Sequence, residues 1–314
     1  MEKQRIFIDD ILSNENMNRA YKQVIKNKGA AGIDGMECND LFSHLKVNGH
    51  QLRESIRNQS YKPMPVKRVE IPKDNGSKRK LGIPTVTDRM IQQAAAQVLT
   101  PIYERKFHTN SYGFRPGKSA QQAVLKAAEY MNEGYNWVVD IDLEKFFDTV
   151  EHDKMISILN KEIKDGKTLS LIRKFLASGV MVGEQMEETE IGTPQGGNIS
   201  PLLANILLNE LDWELESRGL RFVRYADDCI ILVRSEKAAT RVMKSVTKYI
   251  ENVLRLKVNK DKSRIGRPTE IQYLGFAFYY QFQEKKHRMK VPKKSLDKVM
   301  TVSYTHLRAH ETRG

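Results

Sequence analysis

Residues 222–233 read Phe222-Val223-Arg224-Tyr225-Ala226-Asp227-Asp228-Cys229-Ile230-Ile231-Leu232-Val233. Two apolar runs flank adjacent acids, a pattern that predicts a β-hairpin with both carboxylates at its tip. Tight hairpins favour Asn-Gly or Asp-Gly, which accept positive φ at little cost. Asp-Asp gives up that advantage and adds like-charge repulsion, which a divalent cation would relieve. On these residues alone, an exposed turn with two solvated acids is the alternative.

Upstream lies Trp137-Val138-Val139-Asp140-Ile141-Asp142-Leu143-Glu144-Lys145-Phe146-Phe147-Asp148. Val138 to Leu143 alternates with period two, so a strand here carries Asp140 and Asp142 on one face. A buried strand has no use for two carboxylates on one face unless a cation or a base pairs them. Asp148 has a plainer reading, a capping box with Glu151 that opens a helix at 149–160. Between the two acidic segments runs Gly192-Thr193-Pro194-Gln195-Gly196-Gly197-Asn198-Ile199-Ser200-Pro201, a Gly-rich loop leading into a helix with Ser200 as N-cap. Its glycines allow a ligand close to the backbone, and Gln195 offers a donor and an acceptor beside them.

Taken together, Asp142, Asp227 and Asp228 are candidate ligands for two Mg²⁺ ions about 4 Å apart, the arrangement used for in-line phosphoryl transfer. Carboxylate oxygens suit Mg²⁺, and no His or Cys cluster competes for zinc. The chemistry implied is attack of a primer 3′-hydroxyl on a nucleotide α-phosphate.

Outward from this centre, helical spacing covers 8–30, 41–58, 88–105 (opened by Asp88) and 119–132 (opened by Ser119). Segments 66–71 and 77–83 pair as a hairpin around Lys73-Asp74-Asn75-Gly76-Ser77. Seven of the residues from 62 to 80 are Lys or Arg, including Lys67, Arg68, Lys73 and Arg79. The hairpin is basic, and either binds a polyanion or is a solvated edge whose charges discourage aggregation. Ser111-Tyr112-Gly113-Phe114-Arg115-Pro116-Gly117-Lys118 is an aromatic and basic loop, fit to stack on bases and hold phosphates or to serve as a structural turn.

Across the 314 residues, 52 Lys and Arg against 39 Asp and Glu give a formal net charge of +13, which points to a polyanionic partner. With 40% hydrophobic and 29% charged residues, a folded core is expected and a disordered tail or fibre excluded. Cys38 and Cys229 are the two cysteines, so neither a disulfide framework nor a cysteine metal site is expected. The N-terminus has no signal-peptide pattern and no apolar run approaches a membrane span, which together predict a cytoplasmic protein.

This set of motifs resembles the reverse transcriptases, most closely those encoded by bacterial group II introns. Tyr225-Ala226-Asp227-Asp228 is similar to the family's signature hairpin. Asp142 to Asp148 looks like its first palm motif, and Thr193 to Leu202 like the motif before the signature. Ile71 to Asp88, Ser111 to Ala120, Leu256 to Ser263 and Tyr273-Leu274-Gly275-Phe276 match further blocks in family order, so the likeness covers roughly residues 10–280. Retron and other bacterial reverse transcriptases share the palm motifs but usually lack an N-terminal extension and the Tyr112 to Gly117 wording.

The resemblance implies an α+β right-hand polymerase, with an antiparallel palm sheet backed by helices. It implies an N-terminal helical extension and fingers over 1–136, and a palm over 137–283 with a return to the fingers at about 149–189. A basic start of a missing thumb then falls at 284–302. Residues 303–314 continue no pattern and read as a non-native tail, so no metal site is read into His306 and His310.

Carried over residue by residue, Asp142, Asp227 and Asp228 become the metal ligands, with the Leu143 carbonyl as a further contact. Two Mg²⁺ are implied, with Mn²⁺ able to substitute. Phe147 matches the gate that clashes with a ribose 2′-hydroxyl, Gln195 a residue lining the nucleotide pocket, and Lys73 and Arg79 the residues holding the triphosphate. Lys67, Arg68, Arg115 and Lys118 are expected on RNA. The partners implied are intron RNA, an RNA template with its primer, and deoxynucleotides; nothing sets an oligomeric state. A maturase that binds intron RNA without chemistry is the alternative, and the three intact acids argue against it. An RNA polymerase is a third reading, and Phe147 argues against that.

Overall fold

The computed structural model describes residues 7–72, 78–182, 185–187, 192 and 196–292, apart from the side chains of Arg79, Gln185 and Glu187. Lys73, Gln195, the end of the expected thumb start (293–302) and the 303–314 tail therefore lie outside the described residues. The chain divides into two compact units. One comprises Met1–His108, Leu143–Leu211 and Ile250–Lys257, the other Thr109–Asp142, Asp212–Tyr249 and Val258–Gly314.

In the first unit, the helix expected over 8–30 is two helices, Ile8–Leu12 and Asn14–Asn27. Ser13 breaks the run because its hydroxyl accepts the Asn16 N–H and so starts a new helix. Ile8, Ile11, Leu12, Met17, Ala20 and Val24 are buried, as are Met90, Ile91, Ala94, Ala95 and Leu99 of the neighbouring helix Val86–Glu104. That helix is capped by Thr85, which accepts the Asp88 N–H, so Asp88 sits in the first turn and does not open the helix. Asp88 is instead buried, accepting hydrogen bonds from the Tyr61 hydroxyl at 2.5 Å, Thr85 Oγ1 at 2.6 Å and the Met64 N–H at 3.2 Å. Leu41–Arg57 forms a further helix.

The basic hairpin forms as the pattern predicts. Val66–Pro72 pairs antiparallel with Lys78–Ile83, from Lys67 opposite Ile83 to Pro72 opposite Lys78. Val180–Val182 joins it in parallel, and Gln185–Glu187 completes a four-stranded sheet.

The second unit is built on a four-stranded antiparallel sheet, ordered Arg221–Tyr225, Asp228–Val233, Trp137–Ile141 and Arg264–Gly266. The helix Ala120–Asn132 packs on it through Ala123, Val124, Ala127 and Met131, against Val138, Val223, Ile230 and Leu232. Ser119 opens this helix as expected, in a reciprocal capping box with Gln122. A second sheet, Gln272–Tyr273, Phe276–Gln281 and Lys286–Lys290, adds Tyr273 and Phe278 to the same core. The result is α+β, an antiparallel sheet backed by helices, with its acidic residues at one end of the two central strands.

Candidate active site

The 222–233 hairpin forms, with one difference. Tyr225 pairs with Asp228, so the two-residue turn is Ala226-Asp227, and Asp228 is the first residue of the returning strand. Ala226 takes φ +57°, a left-handed conformation that costs an L-residue about 1–2 kcal/mol. The sequence pattern puts Asp-Asp at the tip because it counts the polar pair as the turn. The ladder extends one residue further, and the acids are split between turn and strand.

Asp142 follows directly on the central strand. The ladder pairs Ile141 with Cys229, and one further step sets Asp142 opposite Asp228. The 259–263 loop, which the sequence marks only as part of a family block, holds Asp142 by its main chain. The Asp142 N–H donates to Ser263 Oγ at 3.1 Å, and its carbonyl accepts from the Asn259 N–H at 2.9 Å and the Ser263 hydroxyl at 3.3 Å. Asn259 in turn accepts the N–H groups of Asp261 and Lys262 through Oδ1, an Asx turn that fixes the loop. The backbone of Asp142 is therefore pinned, and its carboxylate is half-buried at the strand end.

The local charge is strongly negative. Asp228 is exposed to solvent, and the neighbouring protein atoms desolvate its carboxylate in part. That desolvation, with the charges of Asp227, Asp140 and Asp142, pushes its pKa up to about 6. Solvent access weakens the part played by burial, which leaves the like charges as the more durable cause. Lys262 opposes the rise, and its ammonium lies 3.8 Å from the Asp142 carboxylate. Asp140, the other acid on that strand face, faces Arg264 at 3.4 Å; burial pushes its pKa up and Arg264 pulls it down.

These donors fit a divalent cation in chemistry: they are carboxylate oxygens in mutual repulsion, which a cation would offset. Among the described residues, no three His, Cys, Asp or Glu side chains converge on one point that could hold a metal ion.

Asp148 does not cap a helix at 149–160. It lies inside a one-turn helix, Phe146–Thr149, and the next helix is His152–Leu159, with Glu151 as an N-cap whose side chain makes no capping bond. Leu143 and Phe146 are buried, whereas Phe147 is half-buried and meets the Phe146 ring edge-on at 5.2 Å. These three belong to the first unit, as do Lys67, which is exposed, and Arg68, which is half-buried. The helix after the Gly-rich loop runs Ser200–Ser217, so Ser200 is inside it and not its cap.

In the second unit, Arg115 donates to the Ser111 carbonyl at 2.6 Å and Lys118 to the Thr109 carbonyl at 3.4 Å. Both basic residues thus brace their own loop, and Phe114 between them is exposed.

Sequence reasoning missed what lies under the hairpin. Arg224 is fully buried and grips Asp212, also fully buried, through Nε at 2.7 Å and Nη2 at 2.5 Å. Its strand position gave the signal: Arg224 falls in an apolar run where a charge needs a buried partner.

Residues 71–278 match the reverse transcriptase (RNA-dependent DNA polymerase) family. Protein YkfC of Escherichia coli K12 is 32% identical over 85% of this chain and 80% of its own length. The group II intron-encoded protein LtrA of Lactococcus lactis subsp. cremoris is 32% identical over 82% of this chain and 54% of its own length. A chain of a partial Cas6-RT-Cas1–Cas2 complex is similar in structure, with a TM-score of 0.50 and 26% identity over 78% of this chain and 42% of that one. The chain belongs to the reverse transcriptase family. It spans about half the length of LtrA. Enzymes of this family work with divalent metal ions on RNA and nucleotide substrates. Among the described residues, no helix is long and apolar enough to cross a membrane.

Proposed function

We propose that the chain catalyses RNA-directed DNA synthesis, with Asp142, Asp227 and Asp228 as the ligands of two Mg²⁺ ions. The observation that carries this reading is the register that faces Asp142 with Asp228 beside the Ala226-Asp227 turn. When bound, the metal supplies charge neutralisation at the reacting phosphate and a lowered pKa for the attacking hydroxyl. The primer 3′-oxygen forms a bond to the α-phosphorus, the bond to pyrophosphate breaks, and the hydroxyl proton leaves to solvent. The strand end and the hairpin hold the carboxylates for this step. The 259–263 loop fixes the Asp142 backbone, and Lys262 balances charge when the acids are bare.

In this reading the Leu143 carbonyl adds a metal contact, and Phe147 blocks a ribose 2′-hydroxyl. Lys73 and Arg79 hold the triphosphate, and Gln195 lines the nucleotide pocket. Lys67, Arg68, Arg115 and Lys118 contact RNA, including the RNA of a group II intron, whose splicing the protein assists in the cytoplasm. Mn²⁺ is expected to substitute for Mg²⁺. The experiment is primer extension on an RNA template with deoxynucleotides and Mg²⁺, set against Asp227→Asn/Asp228→Asn. Metal-dependent extension lost in the double variant, with RNA binding retained, supports the reading. Extension equal in both overturns the aspartate assignment, and equal tight RNA binding without extension favours a binding role.

A further inference from the structure

The Ala226-Asp227 turn contains a non-glycine residue in the left-handed region, a conformation that persists only where its surroundings impose it. Arg224, two residues before Ala226, supplies the hold.

The Arg224 guanidinium has three separate partners beneath the turn. Nη1 donates to the Ala226 carbonyl at 2.8 Å, Nη2 to Ser111 Oγ at 2.7 Å, and Nε and Nη2 to the two Asp212 oxygens. Its main chain is fixed as well: the Arg224 N–H donates to the Asn110 carbonyl at 2.9 Å, and its carbonyl accepts the Tyr112 N–H at 2.8 Å. The 110–113 segment lies so close to the turn that a Cβ on Gly113 would fall 2.2 Å from the Ala226 nitrogen.

We propose that Arg224 is a positioning residue that locks the Ala226-Asp227 turn from below and so aims Asp227 and Asp228. This deepens the reading of those aspartates as metal ligands and rests on it. Asp212 orients the planar guanidinium by a two-point contact, which leaves Nη1 directed at the turn carbonyl. A lysine keeps the charge but not the fork, so it cannot bond Asp212, Ser111 and Ala226 together.

The test uses Arg224→Met/Asp212→Leu, which replaces the ion pair with apolar side chains, an exchange that buried pairs often tolerate. Ser111→Ala is the milder second variant. Amide hydrogen exchange is followed in the metal-free chain at 225–229, with the helix Ala120–Asn132 as internal reference, and Mn²⁺ affinity is measured alongside. The expected result is exchange at least about tenfold faster at the turn, unchanged exchange in the reference helix, and Mn²⁺ affinity at least about tenfold weaker, as for other deletions of groups that orient metal ligands. Ser111→Ala should shift both in the same direction by a smaller factor. Unchanged turn exchange in both variants overturns the proposal. Faster exchange with unchanged Mn²⁺ affinity overturns it too, since Arg224 would then be structural only. Mn²⁺ affinity that Asp227→Asn/Asp228→Asn fails to weaken is instead a failure of the aspartate reading.

Discussion

Asp142 stands opposite Asp228, one register step beyond the Ile141–Cys229 pair. Directly opposed side chains have Cβ atoms about 5 Å apart, close enough for two carboxylates to repel and for one cation to serve both. Asp142→Asn or Asp228→Asn should therefore cut Mg²⁺-dependent extension at least about 100-fold, matching the loss of several kcal/mol of charge stabilisation. Primer extension at saturating nucleotide checks this.

The same crowding gives a pH prediction for the metal-free chain. The folded pKa of Asp228 is raised to about 6. Protonation therefore favours the folded state, and the contribution of Asp228 to stability falls as pH rises from about 4 to 6. Thermal melts of the chain and of Asp228→Asn should diverge across that window, with the variant the more stable above it. Parallel melting curves would contradict the raised value.

Gly113 is required by approach and not by its own conformation. Gly113→Ala places a methyl 2.2 Å from the Ala226 nitrogen, so backbone must shift. A stability loss of about 1–3 kcal/mol is expected, as for other overpacked sites. Extension should fall with it, and a denaturant melt beside the extension assay measures both.

Phe146 and Phe147 are neighbours with separable effects. Phe146 is buried, so Phe146→Ala should cost about 3–5 kcal/mol. Phe147 is half-buried, so Phe147→Ala should cost less stability and instead admit ribonucleotides. The ratio of ribonucleotide to deoxynucleotide incorporation reads this, and an unchanged ratio rejects the gate assignment.

Lys67 and Arg68 lie on the basic hairpin. Lys67→Ala/Arg68→Ala should weaken RNA binding across sequences and reduce the slope of log K against log salt by about 1–2. Binding titrations at several salt concentrations measure the slope.

The hairpin at 222–233 and the basic hairpin at 66–83 were legible because period-two patterning and turn residues are local signals. Ser119 was legible as a cap for the same reason. Ser13, Thr85 and the Ala226-Asp227 turn were not, since each depends on which of several adjacent polar residues the backbone selects. The pairings of Arg224 with Asp212 and of Asn259 with Asp142 were not legible for a different reason, although Arg224's place in an apolar run signals that it needs some partner. They pair residues 12 and 117 positions apart (224 − 212 and 259 − 142), and no local pattern encodes a partner at that distance. The three candidate acids were found from their own neighbourhoods, while the groups that hold them were not.

The strand order of the second sheet also sets a timetable for synthesis. Trp137–Ile141 lies between Asp228–Val233 and Arg264–Gly266, and both of those strands follow it in the chain. Asp142 leaves the ribosome 86 residues before Asp228 (228 − 142). At about 5–20 residues per second, that interval lasts roughly 4–17 s. Throughout it, Trp137–Ile141 waits as an apolar strand with neither neighbour, and a chain cut short before residue 228 never assembles the acidic cluster. The three candidate acids are thus brought together late in translation of this stretch, only after both central strands have been made.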